Sequence, residues 1–86
     1  MESFYKVTIK LFKGDNYTLE EINLWPKTLR KLKAIPRLWK ILYDAYDAVS
    51  VVSYKPSIVT GTNTKRLEEL NYKENMIEEY LDNVLH

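Results

Sequence analysis

Residues 4 to 13 alternate, with Tyr5, Val7, Ile9 and Leu11 on one side and Lys6, Thr8 and Lys10 on the other. A period of two with β-branched residues predicts a half-buried strand. "GDN" at 14 to 16 supplies turn chemistry after it. "TLEE" from Thr18 is a capping box, the Thr18 hydroxyl capping the backbone while Glu21 reaches back. It predicts a short helix from about Leu19 to Leu24 that Pro26 stops. Pro26 suits the first position of the next helix. There Leu29, Leu32 and Ile35 make a narrow apolar stripe, and Lys27, Arg30, Lys31 and Lys33 take the opposite arc.

Pro36 opens a third helical pattern in the same way. Leu38, Ile41, Leu42, Ala45, Tyr46, Ala48 and Val49 share a broad face at helical spacing. Arg37, Lys40, Asp44 and Asp47 fill the other face. "SVVSYKPSIVTG" from Ser50 is rich in β-formers and predicts a hairpin turning at Lys55 and Pro56. "TGTNT" reads as a loop and helix cap. The chain is helical from Thr64 onward, with a second capping box, "NYKE", marking a break near Asn71. Met76, Ile77, Tyr80, Leu81, Val84 and Leu85 form the last buried stripe. The predicted fold is a single compact α+β domain spanning residues 1–86. In it a small antiparallel sheet, made of the N-terminal strand plus a hairpin, is covered by about four helices.

Composition narrows the functional classes. With no cysteine in 86 residues there is no disulfide framework, thiolate metal site or thiol nucleophile. That fits a reducing cytoplasm, the location expected here. No apolar run approaches the roughly 18 residues of a membrane span, and lysines interrupt the N-terminal apolar residues, unlike a signal peptide. The acidic segments lack the alternating acids and central glycine of a calcium loop. His86, the one histidine, is the last residue, which suits a frayed end better than a ligand. No nucleophile, base and orienting group can be assembled, so the expectation is a non-enzymatic protein with no metal and no cofactor.

Charge is the informative feature. Lys27 to Lys40 holds six cations and no acid, whereas Glu68 to Asp82 holds six acids and one lysine. The two segments either neutralise each other across the fold, form separate docking surfaces, or present the basic run to phosphates. Two helices followed by a hairpin suggest a winged helix-turn-helix, with Arg37 and Lys40 at base-reading positions. Asp44 and Asp47 on that same predicted face argue against base reading. Backbone contact by Lys27, Arg30, Lys31 and Lys33 stays open. Trp25, beside a helix break, is expected in the core. Trp39, next to Tyr43 on the border of an amphipathic face, is the expected contact for a partner. Lysines at 6 and 10 read as guards against edge-to-edge aggregation.

Glutamine and cysteine are absent and glycine is scarce, while Lys, Glu, Ile, Leu and Tyr are plentiful. Thermophile proteins share this bias. In that overall character the chain resembles small accessory proteins of thermophilic crenarchaea and their viruses, such as the small subunits bound to replicative DNA polymerases. The resemblance implies a module that docks on a larger protein in DNA replication or another nucleic-acid process. The alternative is a direct nucleic-acid binder using the basic run 27–40, and the third reading is a homodimer with no other partner. The residues expected to carry partner or nucleic-acid binding are Lys27, Arg30, Lys31, Lys33, Arg37, Trp39, Lys40 and Tyr43.

Overall fold

The structure is a computed structural model that describes residues 2–61 and 63–85; the reading of His86 lies outside the described residues. Strand β1 (Glu2–Lys13) is the central strand. It pairs antiparallel with β2 (Asn16–Leu24) on one side and with β3 (Ala48–Val59) on the other, giving the order β2-β1-β3. Helix α1 (Pro26–Ala34), a 3₁₀ turn (Pro36–Leu38), α2 (Trp39–Leu42) and α3 (Thr64–Leu85) complete a small α+β domain. Among the described residues there are three α-helices, not four.

Three expectations are corrected. The segment 19–24 is strand, not helix. Lys13 pairs with Asn16, so Gly14 and Asp15 form a two-residue hairpin loop. Gly14 has φ +60°, the one positive φ among the described residues. A glycine at the first central position matches the twist of a hairpin, as in a type II′ turn. Once β2 lies beside β1, Ile22 and Leu24 fall on the buried face at a spacing of two. Pairing along the whole of β2 outweighs the local preference of one capping box.

The helix expected to run on to Val49 ends at Leu42. Tyr43 adopts φ −137°, ψ 63°, outside the helical region. The run that follows, Val49, Val51 and Val52, is β-branched, stiff at χ1, and better placed on a pleated surface. Asp44 and Asp47 therefore share no helical face with Arg37 and Lys40. Asp47 instead fastens the hairpin tip: it accepts a hydrogen bond from the Gly14 N–H at 2.7 Å, while its own N–H donates to the Phe12 carbonyl at 2.8 Å.

The expected hairpin at Lys55 and Pro56 does not form, and β3 is one strand of 12 residues. Lys55 pairs with Lys6 and Pro56 with Tyr5. Proline is tolerated because β3 is an edge strand, where a missing N–H need not break a ladder. A bulge takes up the irregularity, with Thr8 opposite Ser53 but Ile9 opposite Val51, leaving Val52 unpaired.

The strand expected at 4–13 and the helix opened by Pro26 are present. Val7, Ile9 and Leu11 are fully buried and pack with Leu29, Leu32, Leu38, Trp39 and Ile77 in one core. Helix α3 continues through Asn71 without a break. Asn63 caps it, its side-chain oxygen accepting from the Arg66 N–H at 3.1 Å. The first half of α3 packs Leu70 against Phe4 and Val59 on one side of the sheet, and its second half brings Ile77 and Leu81 to the main core on the other. Between these halves, Lys73 donates to the Asn23 carbonyl at 3.2 Å and to Glu69 at 2.8 Å. Burial would raise the Glu69 pKa, but hydrogen bonds from Lys73 and Asn23 and the charges of Lys73 and Arg66 outweigh it and hold the carboxyl below its usual value.

Candidate binding surface

The eight residues singled out in the sequence fall into two groups on the helical side of the sheet. Buried Thr28, Leu29 and Leu32 turn α1 so that Lys27, Arg30 and Lys33 are exposed. Lys31, half-buried, pairs with Glu78 of α3. This ion pair is the only one among the described residues that joins the basic segment to the acidic one, so neutralisation across the fold involves one cation of the six. Lys33 lies 5.0 Å from the centroid of the Tyr54 ring, and with Arg30 it borders a shallow groove of about 200 Å³ between α1 and β3.

Arg37, Trp39, Lys40 and Tyr43 form the second group, and they surround one hollow of about 310 Å³. The expectation of a half-exposed Trp39 is corrected. Trp39 is 4% exposed and belongs to the core, so it forms the hollow's inner wall. The reason is that α2 is only four residues long and is pressed against the sheet at Trp39, leaving no helical border for the ring to occupy. Tyr43 lies between Trp39 and Tyr46, tilted 35° to the first ring at 6.4 Å and edge-to-face with the second at 6.2 Å between centroids. Arg37 and Lys40 stand exposed at the rim.

Tyr46 and Val49 also line this hollow. Sequence reasoning assigned both to the buried face of a long helix and so missed them as surface groups. Their helical spacing was genuine, but β3 captures Val49 and the turn at 43–47 swings Tyr46 to the opening. Burial, followed by the negative charge of Glu20 and then by Tyr46, pushes the Tyr43 phenol up to about 12. At neutral pH it is thus a hydrogen-bond donor, uncharged, in a wall it shares with Trp39, Tyr46 and Val49 and with the acid Asp47. Trp25 is half-buried beside Phe4, Val59 and Leu70, and its Nε1 donates to Asn71 Oδ1 at 2.9 Å.

Among the described residues no group of three or more Asp, Glu, His or Cys is placed to hold a metal ion. No helix among the described residues is long and apolar enough to cross a membrane. The fold and surface define a small α+β protein whose helical side combines a hollow holding Trp39, Tyr43 and Tyr46 with exposed cations that form no ion pair among the described residues. No protein-family model, curated protein or solved structure matches the chain.

Proposed function

We propose that this chain is a non-enzymatic binding module that docks on a larger protein, with the hollow between α2 and β3 as the docking point. The observation that carries the reading is the joining of Trp39, Tyr43 and Tyr46 around a mainly apolar recess with Arg37 and Lys40 at its rim. Interface energy concentrates where a partner's apolar side chain enters such a recess, and aromatic and arginine neighbours contribute most of it. The rim cations favour acidic residues flanking that anchor. The setting we propose is a nucleic-acid process such as DNA replication, because the adjoining α1 surface is basic.

Charge reversal at the rim tests it. Arg37→Glu with Lys40→Glu changes two exposed side chains and leaves the core intact. A partner that co-purifies stoichiometrically with the wild-type chain should be lost with the double variant, whose melting temperature should be unchanged. Retention of the partner refutes the pocket as docking point.

One observation favours a second reading, direct nucleic-acid binding by α1. Lys27, Arg30 and Lys33 are exposed on one helix, and none of them takes part in an ion pair among the described residues. Contacts of this kind weaken steeply with salt and are sequence-independent. We expect duplex DNA to bind no tighter than about 10 μM at physiological salt, in the non-specific range. Nanomolar binding at that salt would put this reading ahead of protein docking.

A further inference from the structure

The side of the sheet away from the α1–α2 core is open over most of its length. Along β1 it displays Lys6, Thr8, Lys10 and Phe12, none of them fully buried. The register sets Lys55 beside Lys6, and Tyr17 and Leu19 beside Phe12 and Lys10. Among the described residues, α3 covers the Phe4 end of this face and reaches Asn23, the partner of Lys6, through Glu69 and Lys73.

Reading these lysines as guards of an exposed edge fails on the topology. Edge guards protect an unpaired row of backbone groups, but β1 is paired on both sides and has no free edge. Lys6 and Lys10 are therefore cations without a protective task, while Lys55 joins them from the edge strand β3. Lys6, Lys10 and Lys55 form no ion pair among the described residues; of the strand residues on this face Glu21 is the acid beside them, and Glu69 of α3 stands at its covered end, held by Asn23 and Lys73. The patch also has exposed apolar surface without a covering element: Tyr17 is 55% exposed and Leu19 57%. The Tyr17 and Phe12 rings lie 6.1 Å apart, and Lys10 Nζ sits 4.7 Å from the centre of the Tyr17 ring.

A ligand that satisfies both features alternates negative charge with flat apolar faces. An unpaired nucleic-acid strand does so, because every base offers a π-face and every nucleotide a phosphate. A duplex hides its base faces and would engage the lysines alone. An acidic peptide would likewise leave the rings uncovered. We propose that this open face binds single-stranded nucleic acid, with Tyr17 and Phe12 stacking on bases and Lys6, Lys10 and Lys55 neutralising phosphates. Lys6 and Lys10 lie about 13 Å apart along the strand at the usual rise per residue, a span suited to a few nucleotides. Lys10, now over the Tyr17 ring, swings aside to a phosphate as a base takes its place. The site is on the opposite side of the sheet from the docking hollow and does not depend on it.

The experiment is fluorescence anisotropy of the full chain with labelled oligothymidine and oligouridine of about 20 nucleotides at about 50 mM salt, repeated over a salt series. Single strands should bind more tightly than a duplex of equal length. Tyr17→Ala should weaken binding at least about fivefold, the lower end of what a lost base stack costs. Combined replacement of Lys6, Lys10 and Lys55 by alanine should lower the slope of log affinity against log salt by about 2, at about 0.7 per phosphate on a single strand. Arg30→Glu with Lys33→Glu, on the helical side, should change affinity less than twofold. All the side chains changed are at the surface, and circular dichroism melts establish that each variant is folded. Binding by Tyr17→Ala within twofold of wild type overturns the proposal. So does loss of binding through the α1 pair, equal competition by polyglutamate, or no binding to either strand.

Discussion

The two sides of the sheet are built from the same strands by the same alternation, yet they have opposite characters. Val7, Ile9 and Leu11 face α1, α2 and the second half of α3 and are fully buried. Lys6, Thr8, Lys10 and Phe12, their immediate neighbours in the chain, face outward and keep part of their surface in water. Most of the buried core therefore lies on the helical side, a smaller cluster of Phe4, Val59 and Leu70 closes one end of the other, and the unassigned chemistry is on what that side leaves open. An apolar side chain is informative when it is left uncovered and a cation when nothing pairs with it, and both conditions meet on the open side at Tyr17, Leu19 and the three lysines. The helical side meets them only in the hollow beside Tyr43 and along α1.

The largest expected effect tests whether the covered side is as dry as its burial implies. Trp39→Ala should cost about 3–5 kcal/mol. That is a large part of the whole stability of so small a domain, about 5–15 kcal/mol, and should lower the melting temperature by more than about 12 °C. A drop of only a few degrees would mean that Trp39 is half-exposed in solution and would return it to the partner-contact role.

A smaller loss should appear in alkali. The Tyr43 phenol has its pKa raised from 10.0 to about 12 in the folded protein, so the folded state holds this proton more firmly than the unfolded chain does. Its contribution is complete below pH 10 and is lost as pH rises through about 12. Melts from pH 8 upward, compared with Tyr43→Phe, check it, and the wild type should show the extra alkaline loss. Glu69 acts in the opposite direction: its lowered pKa gives stability that is present above the ordinary carboxyl range and disappears as acid protonates it.

Thr28→Val should raise stability by about 1 kcal/mol, or roughly 4–8 °C. The Thr28 hydroxyl is buried on α1 and has no hydrogen-bond partner among the described residues. Valine keeps the shape and removes the unsatisfied group. A decrease in melting temperature would mean that the hydroxyl finds a partner in solution. The smallest effect belongs to the open side. Lys10→Ala should leave stability within about 0.5 kcal/mol, as a surface change away from caps and cores does. A larger loss would show that the open side supports the fold and would blur the contrast between the two faces.

The chain read alone was sufficient wherever a segment is amphipathic and its local chemistry agrees with its neighbours. The alternation of 4–13, the start of α1 at Pro26 with its stripe at Leu29 and Leu32, and the helical tail from Thr64 with Ile77 and Leu81 inward all follow from period and capping, although the break expected at Asn71 does not occur. These signals are local, and tertiary contacts reinforce them. The exposed cations Lys27, Arg30, Lys33, Arg37 and Lys40 were legible for the same reason, since a charged residue opposite an apolar stripe faces water. Only the tertiary structure decided the rest. "TLEE" and the run from Leu38 to Val49 carry helical signals of ordinary strength, and both lose to strand pairing with β1, whose partners lie up to 57 residues away in the chain (Glu2 with Val59). For β3 the partners lie 36 to 57 residues away, beyond any local window, whereas "TLEE" yields to a hairpin whose partners lie 7 to 13 residues back. The same pairing set Tyr17 beside Phe12 and Lys55 beside Lys6, buried Trp39, and turned Tyr46 and Val49 toward a common hollow. Sequence fixes which residues are polar and which are not; which of them share a surface depends on strand register and order, and for β3 these arise from long-range hydrogen bonding that no short segment contains.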